Sequence, residues 1–199
     1  WPLTFHDVWV TGLPRHDTIM MQAAALPADF QDKAKRLKAR LKGRKFLLFA
    51  PTFRADQANG YYRFDEAEVA QLSAWLTRHN FAMGIREHMA DKTRLYSSQL
   101  RGDCFFDVSE RHYPDIELLY RHADMLLTGY SSCFIDYMLT GRPMVSFAFD
   151  KDSYASTQRG LFYEMEQVFP GPICTNFEEL MAGLKATLEK PSKADQAAY

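Results

Sequence analysis

Short apolar runs alternate along the chain with longer segments in which apolar residues recur every three or four positions. The runs have the length of buried strands and lie at residues 46–50, 81–85, 103–108, 125–128 and 144–147. The periodic segments predict helices over residues 29–44 and 65–79, after Pro114, over 131–139 and over 176–190. Strands that are apolar on both faces and alternate with helices are typical of a parallel sheet covered on both sides. The sequence therefore predicts an α/β fold with a doubly wound parallel sheet.

Three residues define the ends of these predicted helices. Asp29 is predicted to cap the start of the first helix, and Gly43 stands where a helix-terminating glycine belongs. Asn176 is predicted to cap the closing helix. In a doubly wound sheet, ligands bind at the carboxyl ends of the strands. The turns that follow the strands are therefore the places to look for chemistry.

Composition and charge exclude several classes of function. The 199 residues carry a net charge of −1, so no strongly basic surface indicates a nucleic-acid partner, and we expect none. The 3 cysteines are widely spaced, which predicts no disulfide framework and fits a reducing, cytoplasmic compartment. No apolar run approaches the ~20 residues of a membrane-spanning helix. We expect no metal and no cofactor, because the sequence has no ligand cluster, Walker loop or GxGxxG loop.

The strongest candidate for chemistry is the turn after the apolar run at 125–128. Thr128 ends that run, and Ser131 and Ser132 lie where the next helix is predicted to begin. Helix N-termini attract phosphate, and serine hydroxyls add donors there. Asp136 is four residues after Ser132 and so shares its helix face. The turn predicts a phosphate site with a carboxylate in reach of a ribose diol; alternatively, Ser131 is only a helix cap and Asp136 a surface residue.

Three other turns carry residues suited to phosphate. Thr52 and Arg54 follow the first predicted strand, Arg86 and His88 the second, and Arg159 lies downstream of the fifth. Arginine suits bidentate phosphate contacts, and a histidine at a strand end can act as an acid, a base or a phosphate donor. The alternative is that these are ordinary exposed loops, since the chain has 6 histidines with no common spacing.

The helix predicted over 29–44 is strongly basic. Its cations indicate either a site for phosphate or anionic lipid, or simply a solvated helix face, which is the more common use of such a run. The sequence leaves both interpretations open.

Taken in order, these stretches resemble motifs of the CDP-glycerol glycerophosphotransferase family, which makes teichoic-acid and related capsule polymers. The resemblance runs from about Val10 to Leu180 and rests on TGLPRHD (11–17), APTFR (50–54), REHM (86–89), YPDI with the following LL and AD (113–124), TGYSS with its downstream Asp (128–136), RG (159–160) and PGPI (170–173). Three positions depart from the family pattern. His16 stands where the family has Asn, Gly129 where it usually has Asp, and Met89 where it usually has Pro.

The resemblance implies a GT-B architecture, in which two Rossmann-like halves enclose the active site. This chain resembles the C-terminal, donor-binding half. On that basis we expect residues 1–45 to form an N-terminal segment and a basic connecting helix, residues 46–190 a Rossmann-like nucleotide-binding domain, and residues 191–199 a frayed tail. We also expect the acceptor-binding N-terminal half of the same protein to be missing from this chain, which would then be inactive alone.

The resemblance also implies a reaction: transfer of glycerol phosphate from CDP-glycerol to a hydroxyl of a polymer or lipid-linked acceptor, with release of CMP. It implies a peripheral protein at the inner face of the plasma membrane. Ser131 and Ser132 would bind the pyrophosphate and Asp136 the ribose hydroxyls. Arg54 and Arg159 would compensate phosphate charge, and His88 would protonate or bind the pyrophosphate.

Three alternatives remain open at this point. The donor could be CDP-ribitol or a nucleotide sugar, since nothing in one sequence identifies the polyol pocket. The chain could be a non-catalytic nucleotide-binding module, which the departures at Gly129 and Met89 favour. It could also be an α/β domain that docks on a membrane or a protein through its basic helix.

Overall fold

The strands form one parallel sheet, and helices cover both of its faces. The computed structural model describes residues 11–54, 60–151 and 164–189. Within these ranges the strands are β1 (Lys45–Ala50), β2 (Phe81–Ile85), β3 (Phe105–Asp107), β4 (Met125–Thr128), β5 (Met144–Phe147) and β6 (Ile173–Cys174). Their order across the sheet is β3-β2-β1-β4-β5-β6, and every pairing is parallel. The predicted α/β, doubly wound architecture is confirmed.

The strands are buried on both sides because their apolar residues alternate between two cores. Leu47 and Phe49 of β1 pack into one core, whereas Phe46 and Leu48 pack into the other. Side chains that follow one another along a strand point to opposite faces of the sheet. A strand in the middle of this sheet therefore needs apolar residues at every position, which is why it appears in the sequence as an uninterrupted run.

The described helices divide between the two faces of the sheet. They are α1 (Pro14–Met20), α2 (Ala28–Leu41), α3 (Glu66–Arg78), α4 (Leu95–Gln99), α5 (Ile116–His122), α6 (Cys133–Met138), α7 (Met165–Val168) and α8 (Phe177–Glu189). Buried residues of α1, α2, α5, α6 and α7 contribute to one core, and those of α3, α4 and α8 to the other. Leu37 and Leu41 of α2 lie in the same core as the strands. The sequence predicts a boundary between an N-terminal segment and the nucleotide-binding domain at residue 45. Helix α2, which precedes that boundary, packs on the sheet that follows it, and the boundary itself stays a prediction.

Two of the three predicted helix ends are confirmed and one is wrong. Gly43 follows α2 with a positive φ of 79°, and the Asn176 side chain accepts a hydrogen bond from the Glu179 amide at 2.9 Å. Asp29, however, does not cap α2. The helix begins at Ala28, directly after Pro27, so Asp29 lies in its first turn and accepts a hydrogen bond from Lys33 at 3.1 Å. A carboxylate in that position still complements the helix dipole.

Several short elements are absent from the sequence prediction. They are α1, a 3₁₀ turn at Ala23–Ala25, α4, α7 and β6. Each spans two to seven residues, which is too short for a periodic pattern to develop. The strand predicted over 103–108 is also shorter than expected, because only Phe105–Asp107 join the sheet.

The sheet has a topological switch point between β1 and β4. The chain builds outward from β1 through β2 to β3, and then returns to place β4 on the other side of β1. Connections on the two sides leave in opposite directions, so a crevice opens beyond the carboxyl ends of these strands. In this pairing Ala50 lies opposite Thr128, and two of the four turns predicted to carry chemistry begin there.

Candidate functional site

A cleft of about 370 Å³ lies beyond the carboxyl ends of β1, β2 and β4. Its walls come from the turns after these strands, from the loop between β3 and α5 and from the start of α5. Its lining includes Ala50, Pro51, Arg86, Glu87, His88, Met89, Glu110, Pro114, Asp115, Ile116, Glu117, Ser131 and Cys133. Three of the residues predicted from the sequence therefore meet in one cleft: Arg86, His88 and Ser131. The others lie beneath the cleft, beside it or outside the described residues.

His88 is exposed at the cleft and is held from two sides. Its ring stacks on the ring of Phe53, with the centroids 4.7 Å apart and the planes inclined by 28°. Its Nδ1 atom accepts a hydrogen bond from the Ala90 amide at 3.2 Å. The imidazole therefore has a preferred orientation, although the loop that carries it is open to solvent.

Arg86 binds the protein's own backbone. Its guanidinium donates to the carbonyls of Val108, Tyr113 and Pro114 at 3.1, 2.7 and 3.3 Å. These carbonyls belong to the loop between β3 and α5, which forms one wall of the cleft. Burial lowers the pKa of Arg86 from its ordinary value, but an arginine stays charged in a protein. Arg86 thus fixes the cleft wall and contributes positive charge; its predicted contact with substrate stays a prediction.

Glu87 is a buried carboxylate that was not predicted from the sequence as part of the site. It is 2 % exposed, accepts hydrogen bonds from the Tyr96 amide at 2.8 Å and from the Ser97 hydroxyl, and pairs with Arg94 Nε at 3.1 Å. It thereby anchors the start of α4, directly after the loop that bears His88. Its burial could have been predicted, because successive side chains of an extended chain point to opposite sides, so Glu87 must point away from Arg86 and His88.

Hydroxyl groups connect the ends of β1 and β4 beneath the cleft. Thr52 Oγ1 accepts a hydrogen bond from the Tyr130 amide at 2.7 Å, and Thr128 Oγ1 donates to the Ala50 carbonyl at 2.7 Å. Gly129 lies against this connection. A Cβ atom at Gly129 would lie 2.6 Å from Thr52 Oγ1, closer than real Cβ contacts come. Glycine at this position is therefore matched to the Thr52–Tyr130 hydrogen bond.

Arg54 lies deeper than predicted. It is only 4 % exposed, pairs with Asp150 at 2.8 Å, and lies over the rings of Tyr130 and Phe149 at 5.4 and 5.7 Å. The guanidinium therefore connects the turn after β1 with the turn after β5. Its predicted role in compensating phosphate charge stays a prediction.

Asp136 joins two sequence stretches that are far apart in the chain. One carboxylate oxygen accepts from Arg15 Nε at 2.9 Å, and the other contacts His16 Nε2 at 2.8 Å. Asp136 is 6 % exposed, and its hydrogen bond raises the pKa of Arg15. No role for Arg15 or His16 was predicted from the sequence pattern. In the structure this carboxylate fixes α1 against α6, and its predicted contact with a ribose stays a prediction.

The remaining predicted residues occupy varied positions. Ser131 lines the cleft, and its Oγ accepts a hydrogen bond from the Cys133 amide at 3.4 Å. Ser132 is exposed just before α6. Arg159 lies outside the described residues. Across residues 11–54, 60–151 and 164–189, no group of three or more His, Cys, Asp or Glu side chains is placed to hold a metal ion, and no helix is long and apolar enough to cross a membrane.

The cleft can accept a ligand that has both phosphate and hydroxyl groups. Arg86 provides positive charge, and His88 and Ser131 provide hydrogen-bonding groups. The carboxylates of Glu110 and Glu117 also face the cleft, where they can accept hydrogen bonds from sugar or polyol hydroxyls. Arrangements of this kind at a switch point typically bind nucleotides.

Comparison with known proteins identifies the family. Residues 1–198 match the family model described as CDP-Glycerol:Poly(glycerophosphate) glycerophosphotransferase. The chain is 33 % identical over 183 residues to the teichoic acid ribitol-phosphate polymerase TarK of Staphylococcus aureus, covering 89 % of this chain and 34 % of the relative. It is 31 % identical over 181 residues to a teichoic acid poly(glycerol phosphate) polymerase of Bacillus subtilis, covering 88 % and 23 %.

A solved structure agrees with these matches. The wall teichoic acid polymerase TagF superposes with a TM-score of 0.66 at 26 % identity, covering 98 % of this chain and 46 % of that chain. The chain thus spans less than half the length of these relatives. The predicted Rossmann-like fold, as one half of a GT-B architecture, is confirmed. The chain belongs to the CDP-glycerol:poly(glycerophosphate) glycerophosphotransferase family.

Proposed function

We propose that this member of the glycerophosphotransferase family is the donor-binding part of a transferase that moves glycerol phosphate from CDP-glycerol to a hydroxyl of a polymer or lipid-linked acceptor. CMP is the second product. The observation that carries this proposal is the cleft at the β1/β4 switch point, where Arg86 and His88 from the turn after β2 meet Ser131 from the turn after β4. Family membership supplies the class of reaction, and the cleft supplies a place for the donor.

The reaction requires charge stabilisation more than covalent chemistry. The acceptor oxygen attacks the β-phosphorus, an oxygen–phosphorus bond forms, and the bond between the β-phosphorus and the CMP oxygen breaks. Negative charge develops on the transferred group and on the departing CMP, where hydrogen-bond donors and cations lower the barrier. In this proposal His88 binds or protonates the pyrophosphate. The base that takes the acceptor proton belongs to the part of the enzyme outside this chain.

The nucleotide is proposed to lie across the turn after β4. Ser131 and Ser132 would contact the pyrophosphate, and Asp136 would accept hydrogen bonds from the ribose through lone pairs that Arg15 and His16 leave available. Thr52 and Thr128 support this turn from beneath through their hydrogen bonds to the backbone. The proposal therefore gives the threonines a structural part in the substrate site.

CDP-ribitol is the second candidate donor. The relatives include ribitol-phosphate polymerases as well as poly(glycerol phosphate) polymerases, at nearly equal identity. Glycerol and ribitol differ only in the length of the polyol, so both donors present the same CDP group to this cleft. The polyol therefore has to be identified by binding measurements.

Calorimetric titration of the purified chain tests the donor. We expect CDP-glycerol or CDP-ribitol to bind at least ~10-fold more tightly than a UDP-sugar, the discrimination expected from one or two specific hydrogen bonds. The variant Ser132→Ala is expected to weaken CDP-glycerol binding, whereas Ser98→Ala, a serine on α4 outside the cleft lining, is a matched control. Equal affinity for all nucleotides, or an unchanged affinity in Ser132→Ala, contradicts the assignment.

Turnover has to be measured in the longer enzyme that contains both halves. We expect His88→Ala to reduce it at least ~100-fold, the typical contribution of a general acid or base. If nucleotide binding is normal but turnover is absent even with an unaltered His88, the chain is instead a non-catalytic nucleotide-binding module. Gly129 does not by itself favour that alternative, since its packing against Thr52 accounts for the glycine.

A peripheral position at the inner face of the plasma membrane is the cellular part of the proposal. The lipid-linked acceptor would lie in that membrane, and α2 exposes Arg36, Lys38 and Arg40 on its surface. Co-sedimentation with anionic vesicles, compared between the wild type and a variant with these three residues changed to Gln, measures the contribution of the helix. Equal sedimentation of both proteins excludes α2 as the membrane contact.

A further inference from the structure

The contact between Phe53 and His88 joins two turns of the cleft. The two residues follow β1 and β2, which pair in parallel with Phe49 opposite Ile85. Their rings stack with centroids 4.7 Å apart. Phe53 is half-buried and belongs to neither core, whereas most large aromatic residues of this chain are core residues. Its main described aromatic contact is therefore with a polar ring in the cleft.

The hydrogen bond between the Ala90 amide and His88 indicates which ring nitrogen carries the proton. Nδ1 accepts from the Ala90 amide at 3.2 Å, and a ring nitrogen that accepts a hydrogen bond carries no proton. The proton of the neutral imidazole is thus assigned to Nε2. Two contacts, one to the ring face and one to Nδ1, leave Nε2–H as the free donor of a residue that lines the cleft.

We propose that Phe53 is a positioning residue that holds the neutral His88 ring so that Nε2–H donates a hydrogen bond to a phosphate oxygen of the bound donor. This inference rests on the proposed function and refines it. His88 acts as a hydrogen-bond donor to the diphosphate and not as the base that takes the acceptor proton, because its accepting nitrogen is occupied by the Ala90 amide. An aromatic ring is required at residue 53, because only a flat face can stack on the imidazole.

The geometry is tested by NMR of the 199-residue chain with ¹⁵N-labelled histidine, the signals of His88 being assigned by their absence in His88→Ala. Stacking shifts the His88 ring protons upfield through the ring current of Phe53. We expect this shift to disappear in Phe53→Leu and to persist in Phe53→Tyr. Because Phe53 lies outside both cores, both variants are expected to keep the backbone amide spectrum of the wild type.

Titration with CDP-glycerol tests the role. We expect the His88 Nε2 signal to move on binding in the wild type and Phe53→Tyr, and to respond weakly in Phe53→Leu. The dissociation constant should rise about 3- to 10-fold in Phe53→Leu and less than about 2-fold in Phe53→Tyr, the range that a lost aromatic contact produces. If Phe53 only stabilised the fold, the two variants would bind equally weakly, or their backbone amide spectra would differ from that of the wild type.

The outcomes separate this proposal from the proposed function. Unshifted ring protons in the wild type, or an unchanged titration in Phe53→Leu, overturn the positioning role. A wild type with intact stacking that binds no CDP-linked alditol overturns the proposed function, while the stacking itself stays supported. A His88 ring that carries its proton on Nδ1 when the donor is bound overturns the assignment of Nε2–H as the phosphate donor.

Discussion

Replacing Gly129 by alanine should destabilise the wild-type protein but stabilise a variant in which Thr52 is already alanine. In the wild type the new Cβ would lie 2.6 Å from Thr52 Oγ1, so the threonine side chain must rotate away. That rotation breaks its 2.7 Å hydrogen bond from the Tyr130 amide. Tyr130 is 6 % exposed, and an amide left without its partner there costs about 1–3 kcal/mol.

A second effect opposes this cost. Gly129 does not have a positive φ, so alanine fits its backbone conformation and reduces the entropy of the unfolded chain. The expected gain is about 0.4–1 kcal/mol. The lost hydrogen bond is the larger effect, so Gly129→Ala should lower the free energy of unfolding by about 0.5–2 kcal/mol.

The sign should reverse when Thr52 is also replaced. In Thr52→Ala the hydrogen bond and the colliding oxygen are already absent, so adding Gly129→Ala should raise the free energy of unfolding by about 0.4–1 kcal/mol. In Thr52→Ser, which keeps the oxygen, Gly129→Ala should remain destabilising. Urea unfolding of the wild type, the single variants and the double variants measures the coupling.

The refuting result is additivity. If Gly129→Ala changes the free energy of unfolding by the same amount in the wild type and in the Thr52→Ala background, the threonine oxygen is not what requires glycine. In that case the close contact would have to be relieved by a backbone shift that leaves the Thr52–Tyr130 hydrogen bond intact. Protection of the Tyr130 amide from hydrogen exchange distinguishes the two, because only the proposed rotation exposes it.

Three further predictions concern other parts of the chain. Burial, with Lys38, Arg121 and Arg142 nearby, lowers the pKa of His122 to about 4, so the folded state resists its protonation. The neutral His122 therefore contributes fully to the free energy of unfolding above the ordinary histidine pKa of about 6.5, and this contribution is lost as the pH drops towards 4. Urea unfolding between about pH 4.5 and 7.5 should show a smaller loss in His122→Gln, and identical pH profiles would contradict this. Arg86→Lys should loosen the loop between β3 and α5, because one ammonium group cannot replace a planar donor that reaches three carbonyls; hydrogen exchange should be faster across residues 108–114 and unchanged in α8. Gly171→Ala should cost at least ~3 kcal/mol or prevent folding, since its Cβ would lie 2.1 Å from the Met144 carbonyl oxygen and only backbone movement can relieve that contact; a melting temperature within a few degrees of the wild type would show that the strand can shift.

The sequence predicts the centre of the fold better than its periphery. β1, β2, β4 and β5 are buried on both faces, so their apolar runs match the observed strands closely. By contrast, α1 buries only Ile19, and α4 begins where Glu87 binds the backbone amides at its start. The contacts that form such short elements come from residues outside the element itself, which its own hydrophobic pattern does not contain.

In the candidate site, the sequence predicts where the residues lie better than it predicts which groups they contact. Alternation of strands and helices is enough to bring the turns after β1, β2 and β4 to one edge, and this places Arg86, His88 and Ser131 in one cleft. It does not reveal which polar group bonds to which. Asp136 meets Arg15 across 121 positions of sequence, and Arg54 meets Asp150 across 96. Long-range pairs of this kind depend on the complete fold.

These pairings bear on how a diphosphate could be held. Arg54 and Arg15 are each paired with a carboxylate, Asp150 and Asp136, so their positive charges are locally balanced. Arg86 bonds to neutral carbonyls and keeps its net charge, but Glu110 and Glu117 line the same cleft.

Among the described residues, the cleft therefore offers a diphosphate neutral donors and little net positive charge. Neutral donors alone compensate two negative charges poorly, since charge-assisted hydrogen bonds are about twice as strong as neutral ones. A further cation would strengthen the binding of the donor, and this is the part that the sequence predicts for Arg159.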